Sequence, residues 1–187
     1  MNKSRCTWSG ETPIYVNYHD TEWGVPVYDD DKLFEFLILE TFQAGLSWIT
    51  VLRKRENFRQ AFDNFDYKKI AKYDDTKFDE LILNAGIIRN KLKIKATITN
   101  AIAFMEVQKE FGSFSKYIWG FVDGKPINNK WKTLDEIPAT TEISDKLSKD
   151  LKKRGFKFVG PTVIYAHMQA TGMVNDHITS CFRYDEV

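Results

Sequence analysis

Residues 147–170 read LSKDLKKRGFKFVGPTVIYAHMQA, and this stretch decides the fold. Gly155 and Gly160 bracket a tight hairpin, because glycine is a strong interrupter of regular structure. A helical pattern precedes the hairpin at residues 142–153, and the helical stretch VIYAHMQA follows it. The sequence therefore predicts two helices joined by a glycine hairpin, although FKFVG within it is also compatible with a short strand.

Basic side chains gather around this hairpin, although 27 basic residues nearly balance 26 acidic ones and leave the chain a net charge of +1. Residues 146–157 contain one acid, Asp150, and six basic residues: Lys146, Lys149, Lys152, Lys153, Arg154 and Lys157. Backbone N–H groups at the start of the second helix would point at an anion, and the glycines would let a phosphate approach. The pattern suits sequence-independent binding to a DNA backbone, but such a run is more often a solvated face. A second basic stretch, at residues 89–95, is open to the same two interpretations.

Helical spacing also dominates the rest of the chain. The acids at residues 29–31 suit a helix start before LFEFLILETFQAG, and further helices are predicted at 48–62, 75–83 and 89–111. The absence of a linker, a repeat or a low-complexity tract predicts one compact domain over residues 1–187. We therefore expect a mainly or wholly α-helical protein, with His167 packed inside a helix rather than binding a ligand.

One acidic residue, Glu40, falls on the apolar face of its predicted helix. Leu37 precedes it by three positions and Phe36 by four, so the three side chains share a face. Glu35 projects to the opposite side and is expected to be solvated. Because an inward carboxylate is costly unless it is hydrogen-bonded or paired, Glu40 is either a satisfied structural acid or part of a site.

Aromatic residues are numerous, with 5 Trp, 8 Tyr and 14 Phe. One of them, Trp48, lies eight residues after Glu40 and beyond Gly45, which breaks the helix. Its ring can therefore stand near the carboxylate at a helix junction. A ring and a carboxylate together favour a pocket for a flat, nitrogen-bearing ligand such as a nucleobase.

Both cysteines and two of the three histidines lie near the ends of the chain. Cys6 and His19 lie near one end, and His177 and Cys181 lie near the other. A spacing of four puts the last two on one helix face, and the four residues complete a Cys2His2 tetrahedral set. Such a set has no vacant position, so it predicts one structural zinc ion rather than a catalytic one. The alternatives are unrelated thiols or a disulfide between Cys6 and Cys181.

Three long motifs carry a resemblance to a known family. They are the N-terminal CxW and NYHDxEWG, the central LExxQAGLSWxTVLxKRENFRxAF, and the C-terminal LSKxLKKRGFKFVGPTxxYxxMQAxGxVNDH. With these motifs the chain resembles the bacterial 3-methyladenine DNA glycosylase I family over almost its whole length. The resemblance implies an all-α helix-hairpin-helix DNA glycosylase fold, with the helix-hairpin-helix near residues 143–171.

The resemblance also assigns roles to residues. It implies zinc ligands that join residues 1–20 to residues 173–187: Cys6, His19, His177 and Cys181. It implies a base pocket formed by Tyr18, Glu40, Trp48, Trp8 and Trp23. In this pocket Glu40 and Tyr18 are catalytic, and the three tryptophans are aromatic lining. It implies DNA contacts from two segments. A loop at 43–47 probes the gap left by a flipped nucleotide through Gln43, Gly45 and Leu46. The hairpin region contributes Lys153, Lys157, Gly160 and Thr162.

The activity implied is excision of 3-methyladenine from alkylated double-stranded DNA by a monomer, leaving an abasic site. Methylation at N3 makes adenine a cation and a good leaving group, so Glu40 is expected chiefly to recognise that charge. Residues 161–163 stand where bifunctional relatives carry a Schiff-base lysine, so strand cleavage is not expected. Asp176 is either a catalytic carboxylate or, as we favour, a partner that orients His177.

Two other classes of function are weighed against this one. A non-enzymatic DNA-binding module needs the basic hairpin but not an inward carboxylate beside Trp48. A zinc hydrolase needs an open metal site, whereas the predicted ligand set is closed.

The sequence also bears on location. Its apolar stretches fall far short of the roughly 20 residues of a membrane span. The first fifteen residues lack the apolar centre of a secretory signal, so a cytoplasmic chain with reduced cysteines is expected.

Overall fold

A computed structural model describes residues 3–187, so residues 1–2 of the predicted terminal segment 1–20 lie outside the described residues. The described chain forms ten α-helices: α1 Pro13–Thr21, α2 Asp30–Gln43, α3 Trp48–Arg53, α4 Arg55–Ala61, α5 Tyr67–Ile70, α6 Asp75–Leu83, α7 Lys91–Phe111, α8 Phe114–Trp119, α9 Glu142–Lys153 and α10 Pro161–Ala170. Two short strands, β1 Ile127–Asn128 and β2 Val174–Asn175, pair in parallel. The predicted all-α fold is therefore confirmed, and no helix within residues 3–187 is both long and apolar enough to cross a membrane.

Several helices begin where polar side chains cap them. Asp29 accepts a hydrogen bond from the backbone N–H of Lys32 at 2.9 Å, so α2 starts within the predicted run of aspartates. Thr141 and Ser144 form a reciprocal capping box that starts α9. The helix predicted at 48–62 is instead two helices. The N–H of Lys54 donates to the carbonyl oxygen of Val51, three residues earlier, and this 3₁₀-type hydrogen bond interrupts the α-helical pattern.

Helix α2 lies at the centre and packs against α3, α7, α8 and α10. Because neighbours cover several of its sides, Glu35 is not the solvated residue that was predicted. Its side chain is only 13% exposed and pairs with Arg55 at 2.6 Å and Arg59 at 2.8 Å. Glu40 lies one turn further along α2 from the buried Phe36, and Ala166 of α10 lines the same cavity.

Helices α9 and α10 pack against each other and are joined by the connection 154–160, as the glycines predicted. Residues 156–160 are not a strand, because Phe158 adopts a left-handed backbone with φ +56°. Gly155, with φ +96°, turns the chain away from α9, and the buried Phe156 fastens the connection to the core.

Candidate active site

A cavity of about 190 Å³, open to solvent on one side, lies where α1, α2, α3 and α10 meet. The five predicted pocket residues line it together with five others: Trp8, Tyr15, Tyr18, Trp23, Glu40, Gln43, Trp48, Ile137, Ala166 and Gln169. The ring centroids of Tyr18 and Trp48 are 5.3 Å apart, and those of Trp8 and Trp23 are 4.9 Å apart. The structure therefore places one carboxyl group among several aromatic rings, as the spacing of Glu40 and Trp48 predicted.

Two polar atoms in this cavity have no partner. Glu40 is only 3% exposed, yet its Oε2 accepts no hydrogen bond from any residue in 3–187. The indole Nε1 of Trp48, which can only donate, is also unpartnered within the described chain. Because buried polar groups are nearly always hydrogen-bonded, an acceptor and a donor left free in one cavity indicate a binding site for a ligand with both kinds of group.

Burial controls the protonation of the site. It raises the pKa of Glu40 from 4.5 to about 8, because the charged form loses its hydration. Burial, followed by the proximity of Glu40, raises the pKa of Tyr18 well above its usual value. The carboxyl group is therefore largely neutral near pH 7 in the absence of a ligand, and a cation entering the pocket would favour its ionised form.

Sequence reasoning missed Tyr15, Gln169, Ile137 and Ala166 as lining residues. Helical spacing could have identified Tyr15, because it precedes Tyr18 by three positions on α1 and lies on the same helix face. Ile137 follows a short 3₁₀ turn at Leu134–Glu136, and its approach to the pocket depends on tertiary packing alone.

The prediction that Asp176 orients His177 is wrong. Asp176 is fully buried and accepts hydrogen bonds of 2.7–2.8 Å from four other side chains: Asn129, Trp131, Tyr165 and Gln169. The Nε2–H of His177 instead donates to the carbonyl oxygen of Trp23 at 3.1 Å. Asp176 therefore holds Gln169 in the pocket wall, and it does not itself line the cavity.

A second cavity of about 170 Å³ adjoins the first and shares Glu40 with it. Its walls come from the end of α2, the loop that follows, and the start of α10: Glu40, Gln43, Ala44, Gly45, Leu46, Thr162, Val163 and Ala166. Gly45 has φ +82°, and the side chain of Leu46 is 43% exposed. Four of the seven predicted DNA-contacting residues, Gln43, Gly45, Leu46 and Thr162, thus lie around one opening beside the aromatic pocket.

The other three predicted contacts lie on or next to the hairpin. Lys153 and Lys157 are exposed, and Gly160 is the residue before α10. No side chain caps the N-terminus of α10, so its first backbone N–H groups have no side-chain acceptor at the N-cap position.

The Cys2His2 set assembles as predicted, but His177 and Cys181 lie in the non-helical segment after α10 rather than on a helix face. Cys6, His19, His177 and Cys181 are buried, and their ligand atoms all lie within 4.8 Å of one another. Sγ of Cys181 is 3.5 Å from Nε2 of His19 and 3.5 Å from Nδ1 of His177. Tetrahedral zinc, about 2.3 Å from sulfur and about 2.0 Å from nitrogen, would hold such atoms roughly 3.5 Å apart.

The surroundings of these four residues also suit a metal. Nδ1–H of His19 donates to Asp20 at 2.8 Å, which leaves Nε2 facing the cluster. Hydrogen bonds from Cys6, His177 and His19 lower the pKa of Cys181, and a thiolate is the form that binds metals. Both cysteines are free, so the disulfide alternative is wrong and the cluster can hold a metal ion. His167 lies apart from this cluster and donates to the Leu33 carbonyl at 3.1 Å inside the helical core, as predicted.

The fold and the site define a class: a helical protein with a buried carboxyl group in an aromatic pocket, next to an exposed loop and a glycine hairpin. A family model described as Methyladenine glycosylase matches residues 8–184. DNA-3-methyladenine glycosylase of Haemophilus influenzae is 51% identical over 178 residues, covering 95% of this chain and 96% of the relative.

Solved structures agree with the sequence comparison. A crystal structure of 3-methyladenine DNA glycosylase I matches with a TM-score of 0.94 at 52% identity, over 96% of this chain and 98% of the other. A variant of 3-methyladenine DNA glycosylase I in complex with 3-methyladenine matches with a TM-score of 0.93 at 35% identity, over 95% and 96% of the two chains. The chain belongs to the methyladenine glycosylase family, which confirms the resemblance in the sequence motifs.

Proposed function

We propose that this protein flips 3-methyladenine out of alkylated double-stranded DNA and hydrolyses its glycosidic bond, leaving an abasic site. The observation that carries the proposal is the unpartnered Oε2 of Glu40, buried in an aromatic pocket. Membership of the family, and the complex of a relative with 3-methyladenine, support this choice of ligand.

The size of the pocket supports a single base as the ligand. Its volume of about 190 Å³ is below the roughly 300 Å³ at which pockets begin to accept drug-sized molecules. A base in a duplex is stacked, so the nucleotide must be extruded at a cost of a few kcal/mol. Stacking on Trp48 and hydrogen bonds to Glu40 would offset that cost, and the exposed Leu46 is placed to occupy the vacated gap.

The chemistry follows from the charge of the lesion. Adenine methylated at N3 is a cation before the bond breaks, so it leaves without strong acid catalysis. The ring of Trp48 attracts a cation more strongly than a neutral base, and the ionised Glu40 accepts from the exocyclic amine. The same carboxylate opposes the positive charge that develops on the sugar as the bond lengthens.

The activity is monofunctional in this proposal. Cleavage of the strand by β-elimination needs an amine that forms a Schiff base with the sugar. No lysine of the described chain lines either cavity, and Thr162 and Val163 occupy the start of α10 beside them. The lack of a lysine in the described walls of the two cavities supports hydrolysis without lyase activity.

One structural zinc ion completes the proposal. Cys6, His19, His177 and Cys181 would fill all four of its positions, so the ion would hold the ends of the chain together. It would supply no activated water, because a closed site has no position for one.

The partner is duplex DNA, bound through the exposed loop at 43–47 and the hairpin at 154–160. The free backbone N–H groups at the start of α10 and the nearby lysines suit phosphate oxygens. Because one chain supplies the pocket, the loop and the hairpin, we propose that it acts as a monomer. Since bacterial relatives are named as DNA glycosylases, we propose that it acts in the cytoplasm.

Incubation with methylated duplex DNA tests the function, with the released bases separated by chromatography and the strands examined on a denaturing gel. We expect free 3-methyladenine to be released and the strands to stay intact until alkali cleaves the abasic sites. The variant Glu40→Gln should release little base, whereas Glu106→Gln, at an exposed acid on α7, should match the parent. Failure of the parent to release 3-methyladenine would refute the proposed function.

A further inference from the structure

A buried lysine on α7 holds the loop that follows α2. Lys93 is only 5% exposed, and its Nζ donates to the carbonyl oxygen of Phe42 at 2.8 Å and to that of Ala44 at 2.6 Å. These carbonyls belong to the last turn and the C-cap of α2, where a helix leaves its acceptors unpaired and favours a cation. Lys93 therefore fixes the point at which the chain leaves α2 for the loop at 43–47.

A buried asparagine on the same helix holds the hairpin. Asn100 is fully buried; its Oδ1 accepts from the backbone N–H of Lys157 at 2.7 Å, and its Nδ2 donates to the carbonyl of Lys157 at 3.1 Å. On the other side of Phe158, Ser148 donates to the carbonyl of Val159 at 2.6 Å. Phe158 itself has φ +56°, a conformation that persists in a non-glycine residue only when its surroundings fix it.

The two anchors are part of one rigid element. They are seven residues apart on the 21-residue helix α7, so they lie on the same face about 10.5 Å apart along the axis. Neither residue lines the aromatic cavity or the cavity beside it. Apart from hydrogen bonds within and capping α7, Lys93 and Asn100 bond only to backbone atoms: Lys93 to the end of α2 and the start of the loop, and Asn100 to the hairpin.

We propose that Lys93 and Asn100 are positioning residues that fix the separation between the loop at 43–47 and the hairpin at 154–160. A duplex is stiff, so two protein segments can engage it together only at a set distance. The proposal rests on the proposed function, because it takes both segments to contact DNA. It assigns to α7 the task of holding a DNA-probing loop and a backbone-binding hairpin in register.

The test separates binding of the free base from action on DNA. The variants are Lys93→Met and Asn100→Leu, each close in size to the parent residue but unable to make the hydrogen bonds. Two quantities are measured: the affinity for free 3-methyladenine, and kcat/KM for its release from methylated duplex DNA. Active-site titration with free 3-methyladenine corrects the rates for any unfolded fraction.

We expect each variant to bind free 3-methyladenine within about twofold of the parent but to lose about tenfold or more in kcat/KM on DNA. The double variant should lose less than the product of the single losses, because either change already disturbs the same separation. Lys93→Arg, which keeps donors for both carbonyls, should recover most of the activity, and Lys109→Met at the far end of α7 should match the parent.

Three outcomes would overturn the proposal. They are unchanged kcat/KM in both variants, equal losses in free-base affinity and in kcat/KM, and independent effects that multiply in the double variant. If Lys93→Met does not fold, Lys93→Gln and Asn100→Asp provide the same comparison, since each removes only part of the anchor. A parent protein that releases no base would refute the proposed function instead, so the two failures are distinguishable.

Discussion

At the scale of single residues, the protonation of Glu40 makes activity depend on pH. The pKa of about 8 describes the free protein, and the pH dependence of kcat/KM reports the free enzyme. In the proposed function the ionised carboxylate binds the cationic base, so kcat/KM should rise with pH, by up to about tenfold per unit below pH 8, and level off above it. Initial rates of base release across this range check the prediction, and Glu40→Gln should show no such rise.

The same carboxyl group lowers the stability of the folded protein. A folded-state pKa raised from 4.5 to about 8 means that stability is fully present below pH 4.5 and is lost as the pH rises to about 8. Glu40→Gln should therefore raise the free energy of unfolding by on the order of 4 kcal/mol at pH 8 and leave it unchanged near pH 4. Urea denaturation at both pH values measures this, and an equal effect at the two values would contradict it.

At the scale of elements, the turn after α10 packs directly on the segment before α2. A Cβ on Gly172 would lie 2.4 Å from the backbone N of Pro26, and Gly172 has φ +67°. Gly172→Ala should therefore cost about 3 kcal/mol or more, because backbone cannot move aside as a side chain can. Gly124→Ala, at φ +74° with no atom within 4 Å, is the matched control and should cost only about 1 kcal/mol. Thermal unfolding of the two variants compares these losses.

The sequence predicted the elements well where a local pattern determined them and poorly where tertiary contacts did. Periodicity placed Glu40 inside, and the glycines located the hairpin. The same periodicity made Glu35 appear solvated, because it carries no information about Arg55 from α4. The four donors around Asp176 come from two segments, residues 129–131 and helix α10, and no spacing in the chain indicated that these segments meet.

At the scale of the whole molecule, the Cys2His2 cluster lies directly beside the aromatic pocket. The ring of Trp23 is 4.6 Å from that of His177, and the ring of Trp8 is 5.2 Å from that of His19. Loss of the proposed zinc ion should therefore both lower the melting temperature and weaken binding of free 3-methyladenine. Cys181→Ser, or treatment with a chelator, followed by metal analysis, calorimetry and a binding titration, checks this. A metal-free protein with the parent's melting temperature would contradict a structural role.

The central claim is that the pocket around Glu40 recognises the methylated base. Tryptophan fluorescence tests it most directly, because Trp8, Trp23 and Trp48 all line the cavity and report its occupancy. Titration with free 3-methyladenine should give a saturable change in the parent, with affinity at least about tenfold weaker in Glu40→Gln, as loss of a hydrogen bond to a charged group implies. Saturation by adenine at the same concentrations, or equal affinity of the parent and Glu40→Gln for 3-methyladenine, would contradict the claim.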